Sequence, residues 1–388
     1  MPQQQQPNSG TASAAKVYFT SMKLKDGQSL PSKLDCLCRS AGLADIDFDR
    51  QFTAIKIHFG EAGNLAYLRP NYAKVLVDLV RELGGRPFLT DCNTLYPGRR
   101  KNALEHLELA YEHGFSPFST GCHIIIGDGL TGSDEVLVPV NGGQYLKAAK
   151  IGRAIMDADI LISLNHFKGH IETGFGGAIK NIGMGAGSRA GKMEMHASTG
   201  PKINSKACIG CQKCSRYCAS DAIGYPEPDK KAVIDSQKCV ECGHCISACP
   251  TDAIYSGFDE ASELLAAKIA EYTKAVLDGR PHFHINLVID VSPLCDCWSA
   301  NDLPIVPDVG FFASKDPVAL DMASADAVNA QPVNANSDLA AALGGHGHGF
   351  EDQDYFMAIN SHSDWRKTLE HAEKLGLGSC RYDLVEVG

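Results

Sequence analysis

The sequence predicts an α/β protein, a mostly parallel sheet with flanking helices, into which a small cysteine-dense α+β module is inserted. Three observations lead there. Short apolar runs alternate with stretches of helical periodicity over most of the 388 residues. Those runs are apolar on consecutive rather than alternate residues, as strands covered on both faces are. Finally, eight of the fifteen cysteines fall between residues 208 and 249, where the strand and helix alternation stops.

Residues 54–59 (AIKIHF), 87–91 (PFLTD), 123–128 (HIIIGD), 160–164 (ILISL) and 284–290 (HINLVID) are the predicted strands. Between the first two, residues 72–83 place Val75, Leu76, Leu79, Val80 and Leu83 at helical spacing, and Gly84-Gly85 closes that helix. Helices over residues 101–113 and 144–156 precede the third and fourth strands. Residues 260–278 read as an amphipathic helix ending at Gly279, and residues 364–375 as a last helix packing back on the core. Residues 1–15 (MPQQQQPNSGTASAA) are polar and low in complexity, a predicted disordered tail. The α/β domain then spans residues 16–204 and 256–388, and the module residues 205–255.

Within the module the cysteines form two runs, Cys208, Cys211, Cys214, Cys218 and Cys239, Cys242, Cys245, Cys249, each spaced C-x2-C-x2-C-x3-C. This is the spacing of bacterial two-cluster ferredoxins, in which the fourth cysteine of each run ligates the other run's cluster. Cys208, Cys211, Cys214 and Cys249 are therefore expected to hold one 4Fe-4S cluster, and Cys239, Cys242, Cys245 and Cys218 a second. Zinc would use four ligands and leave half of these thiols idle. A disulfide scaffold suits a short secreted chain, and no charged-then-apolar leader is visible. The inserted module is thus expected to be ferredoxin-like, with cluster binding supplying much of its folding energy. Ala219 stands after Cys218 where the pattern has proline, as Pro250 does after Cys249.

A formal net charge of -10 argues against nucleic acid as the main partner, and no apolar run reaches the roughly 18 residues of a membrane span. Locally the balance reverses around the cysteines, where Lys206, Lys213, Arg216, Lys230, Lys231 and Lys238 gather. That stretch reads as a solvated face or as a docking surface for an acidic redox partner. Abundant thiols without a secretion signal lead us to expect a reducing cytoplasm, that of an anaerobe since exposed clusters are oxygen-sensitive.

Parallel sheets collect ligands beyond the carboxyl ends of their strands. There the sequence is polar: His58, Glu61 and Asn64 follow the first strand, Asp91, Asn93 and Thr94 end the second, and Asp128 ends the third. Asn165, His166, Lys168 and His170 follow the fourth and lead into GFGGAIKNIGMGAG; Cys295-Asp296-Cys297 follows the fifth. His58, His166, Lys168, Cys295 and Cys297 are the candidate catalytic residues, and Lys180, Asn181 and Lys192 the candidates for holding an anionic cofactor. The CxC pair with His58, His166 or His170 would bind a further metal or present a reactive thiolate. Each has a plain alternative: loop histidines with ordinary hydrogen bonds, helix-capping aspartates, two reduced loop thiols. Cys36, Cys38, Cys92, Cys122 and Cys380 read as buried or incidental.

The segments IKIHFGEAGN, FLTDCNTLYPGRR, NHFKGHIETGFGGAIKNIGMG, GKMEMH, PLCDC and ASKDPVALD resemble the domain-of-unknown-function 362 family, often described as iron–sulfur centre proteins, over nearly the whole chain from Lys16. The resemblance implies an α/β domain coupled to ferredoxin clusters and a role in electron transfer. The expected function is that of an iron–sulfur redox protein, an oxidoreductase if the crevice does chemistry, passing electrons through two clusters between a redox partner protein or small-molecule acceptor and a ligand in the crevice. Two alternatives stand beside it: an electron-delivering adaptor without chemistry of its own, and a non-redox enzyme with structural clusters.

Overall fold

A computed structural model describes residues 14–344 and 353–388. Most of the predicted tail lies outside the described residues, but Ala15 does not belong to it, since the first strand starts there. Among the described residues the main sheet has eight strands: β1 (Ala15–Ser21), β2 (Phe52–Lys56), β3 (Arg86–Asp91), β4 (Ile124–Ile126), β5 (Ile160–His166), β6 (His282–Val288), β7 (Gly310–Ser314) and β8 (Tyr382–Glu386). Their spatial order is β8-β1-β7-β6-β5-β2-β3-β4. Only the two pairings made by β7, to β1 and to β6, are antiparallel, so the sheet is mostly parallel as expected.

Helices cover both faces. On one lie α1 (Leu30–Ser40), α2 (Pro70–Glu82) and α3 (Ala103–Glu112); on the other lie α4 (Ala178–Ala186), α6 (Ser262–Leu277), α7 (Pro317–Asn329) and α8 (Trp365–Lys374), with α5 (Arg189–His196) at its edge. This explains the continuous apolar runs. In β5, Ile160, Ile162 and Leu164 join the first core while Leu161 joins the second, and all are at most 1% exposed. Burial of each such side chain is worth ~1.5–3 kcal/mol, so neither face can be left wet. Where the second face turns polar it is cross-linked instead: Ser163 bonds His284 (2.9 Å), and Asn165 bonds Asn286 (3.0 Å), which donates to Asp321 (2.8 Å).

One predicted helix is wrong. Residues 144–156 form a strand, Ala148–Gly152, paired antiparallel with Glu135–Pro139, followed by a single helical turn, Arg153–Met156. The Glu271 carboxylate on α6 accepts the backbone N–H groups of Gln144 (2.7 Å), Tyr145 (3.0 Å) and Leu146 (2.7 Å), satisfying them outside a helix. Ala149 and Ile151 then bury on alternate positions, the period of a strand.

Between α5 and α6 the chain forms a small separate cluster. Lys202–Ile203 pairs with Ile254–Tyr255 and Ile223–Gly224 with Val233–Ile234, each antiparallel. Its core gathers Cys214, Cys245, Ile246, Cys249 and Ile254, together with Leu95 and Met193 from the α/β body. Lys101 ties the two parts with an ion pair to Asp252 (2.9 Å). At Gly243 the backbone has φ +68°, and a Cβ there would sit 3.0 Å from Met193 Cγ, so glycine allows the close approach.

Candidate functional site

A cavity of about 550 Å³ opens at the carboxyl ends of β2, β3, β5 and β6, where a parallel sheet leaves room between diverging loops. All eight residues expected to carry catalysis or cofactor binding line it: His58, His166, Lys168, Cys295, Cys297, Lys180, Asn181 and Lys192. Their surroundings separate them into different roles.

His166 has both ring nitrogens engaged. Nδ1 lies 2.8 Å from Asp296 Oδ1 and Nε2 lies 2.9 Å from the Ile289 carbonyl oxygen. No nitrogen is left for a ligand, and the ring instead clamps the CxC loop to the end of β5. Burial tends to raise the Asp296 carboxyl, but His166 and Lys168 hold it down at about 2. Lys168 donates to the His166 carbonyl oxygen (3.0 Å) and stands 3.7 Å from Asp296. His58 accepts the Gly60 N–H on Nδ1 (3.0 Å), and its Nε2 faces Arg100 Nη1 at 2.8 Å. Burial, then the Arg100 charge, pulls its pKa well below the usual histidine range.

Asn181 is consumed by the protein: its Oδ1 accepts from Lys56 Nζ (2.7 Å) and its Nδ2 donates to Asn165 Oδ1 (2.7 Å). Lys192 donates to the Gly187 carbonyl oxygen (2.5 Å). Lys180 differs, since among the described residues its one side-chain hydrogen-bond partner is Cys295 Sγ at 3.7 Å. The Cys297 backbone N–H donates to Cys295 Sγ at 3.5 Å. The Cys297 side chain, then Lys180 and Lys168, outweigh burial and the nearby Asp296 carboxylate to lower the Cys295 pKa well below that of a free thiol. Cys297 moves the opposite way, held protonated by its bond to Cys295 and by burial. The two thiols thus shift in opposite directions at the cavity wall.

Further residues of the site are less visible in the sequence. Lys56, on an otherwise apolar strand, is buried and pairs with Asp91 (2.9 Å). Arg100 is buried against Glu61 (3.0 Å) and Tyr96 Oη (2.6 Å). A lysine inside an apolar strand was the available signal for the first. Nothing in spacing or composition marked the second.

The eight cysteines of the 202–255 cluster lie outside this cavity and fall into two groups. Cys208, Cys211, Cys214 and Cys249 line one small cavity of their own, so the fourth member comes from the other run. Cys218 lies within the electrostatic reach of Cys239, Cys242 and Cys245. Backbone amides point at the sulfurs in matching places: Ala222 N–H at Cys218 and Ala253 N–H at Cys249, both at 3.2 Å. Leu95 joins the two regions, lining the large cavity while packing in the core of the cysteine cluster.

A family model described as Domain of unknown function (DUF362) matches residues 53–326, from β2 through most of α7 and across both cavities. The chain belongs to the DUF362 family. No curated protein matches it. Among solved structures, this DUF362 chain is similar to the lactate racemase apoprotein from Thermoanaerobacterium thermosaccharolyticum, at 12% identity and a TM-score of 0.41, over 96% of this chain and 83% of that one. It is also similar to a protein of Thermotoga maritima, at 12% identity and a TM-score of 0.35, over 66% of this chain and 49% of that one. Among the described residues no helix is long and apolar enough to cross a membrane.

Proposed function

We propose that this DUF362 protein is an iron–sulfur redox protein: residues 205–255 form a ferredoxin domain holding two 4Fe-4S clusters, which exchange electrons with a ligand or acceptor in the large cavity. The observation that carries the reading is the grouping of Cys208, Cys211 and Cys214 with Cys249 rather than with Cys218 around one small cavity. Crossed ligation between two C-x2-C-x2-C-x3-C runs requires that grouping. The donor set also fits: four thiols around one space, with amide N–H groups aimed at sulfur, as at Cys208 (3.5 Å) and Cys239 (3.4 Å). When bound, such clusters supply one-electron transfer.

The chain's own part is positioning. Leu95 and Met193 fill the space between the cysteine cluster and the α/β body, which keeps water out of the gap. Lys168 and Lys180 present positive charge at the cavity wall, suited to an anionic ligand. A reducing cytoplasm is the compartment where eight free thiolates and their clusters would persist.

The test is mass spectrometry of small molecules released from protein purified without oxygen, alongside electron paramagnetic resonance after dithionite reduction. A redox-active or anionic molecule, depleted in Lys180→Met protein with its resonance intact, is the expected result. Reducible clusters with nothing released from either protein would assign the adaptor role instead.

A further inference from the structure

We propose that Cys295, Cys297 and His170 form a separate metal site in the wall of the large cavity, taking a thiophilic divalent ion on two sulfurs and one nitrogen with a fourth position open to the cavity. The thiols come from the loop after β6 and the imidazole from the chain just beyond β5, yet their ligand atoms all lie within 4.8 Å of one another. A tetrahedral ion with metal–sulfur bonds near 2.3 Å and metal–nitrogen bonds near 2.0 Å spaces its ligand atoms roughly 3.5–3.8 Å apart. Side-chain movements of about half an ångström therefore close the site.

Geometry selects His170 among the nearby histidines. Both nitrogens of His166 are occupied by Asp296 and Ile289, and His58 sits between the Gly60 amide and the Arg100 guanidinium. The amides of Glu172 and Thr173 approach His170 Nδ1 at 3.2 Å each, and Nε2 has no hydrogen-bond partner among the described residues. Loading takes both cysteines as thiolates and the imidazole as neutral with its proton on Nδ1, so these two long contacts open and the displaced thiol protons pass to solvent.

Three protein ligands rather than four is the pattern of a working metal site, because the vacant position takes water or substrate. Softness of the donors favours zinc and its neighbours over magnesium or calcium. Lys180, 3.7 Å from Cys295 Sγ, and Lys168 then flank the open position with positive charge. An anionic oxygen ligand, carboxylate or phosphate, is the class of molecule that such a position would take.

The inference stands independently of the iron–sulfur reading, and cobalt(II) is its probe. Cobalt(II) is titrated into the full chain as purified without oxygen, and the spectrum of a Cys295→Ser/Cys297→Ser double variant is subtracted from that of the native protein. The difference should contain thiolate-to-cobalt charge-transfer bands, with each single variant retaining about half of their intensity. His170→Ala should weaken cobalt binding by at least the roughly 10- to 100-fold that loss of an outer-shell partner costs, while Cys36→Ser, at an exposed thiol elsewhere, should change nothing. A flat difference spectrum with all variants folded by circular dichroism, or unchanged affinity in His170→Ala, overturns the site. Cobalt taken up by empty cluster cysteines would appear in both spectra and cancel, so failure of the iron–sulfur reading shows separately.

Discussion

Lys56 Nζ lies 2.9 Å from Asp91 Oδ1 at the ends of adjacent parallel strands, and both residues are at most 2% exposed. A pair this deep loses much of its Coulomb attraction to desolvation. Burial pulls the Lys56 pKa down against the pull of Asp91. Lys56→Met removes the nearest cation from Asp91 and leaves it the Cys92 N–H at 2.9 Å, with Arg100 at 3.8 Å and His106 at 4.0 Å. It should destabilise the fold by about 3–5 kcal/mol in urea unfolding, whereas Lys56→Met with Asp91→Leu should cost clearly less. Equal losses in the single and double variants would mean that the pair is not coupled.

Asp321 accepts the Ala178 and Ile179 N–H groups at the start of α4 (2.7 and 2.9 Å) and the Asn286 amide. Burial, against these bonds, pushes its pKa up to about 6. A carboxyl raised on folding binds its proton more tightly in the native state. Its contribution is therefore full below its unfolded value near 4 and falls as pH rises through about 6. The stability of the native protein relative to Asp321→Asn should drop by about 2–3 kcal/mol across that window. Parallel pH curves for the two proteins would contradict this.

The sequence made the parallel strands legible because continuous apolar runs have one physical cause, cover on both faces. It hid β1 and β8, whose partly exposed, mixed residues form no continuous apolar run, and β7, whose run is the short GFFAS. Residues 144–156 misled because their helical periodicity was overridden by Glu271, a partner more than a hundred residues away. Convergence of His58, His166 and Cys295 followed from their place after strands. The loss of His166 as a ligand did not, because it depends on which atoms face Asp296 and Ile289.

Lys202 and Tyr255 are paired neighbours, so the ends of the inserted segment lie side by side. Replacing residues 202–255 with a short flexible linker should leave a folded α/β domain by circular dichroism. It should melt lower, because Leu95 and Met193 lose their cover at a cost of ~1.5–3 kcal/mol each. An insoluble or molten product would make the segment integral to the core.

Cys218→Ser should remove iron from the set of Cys239, Cys242 and Cys245 while the set of Cys208 keeps its own, leaving one cluster by electron paramagnetic resonance. Loss confined to the set of Cys208 would contradict crossed ligation.

Iron and acid-labile sulfide per chain, measured on protein prepared without oxygen, test the central claim most directly. Two complete cysteine runs call for about eight of each. About four irons, or zinc in place of iron, would contradict it.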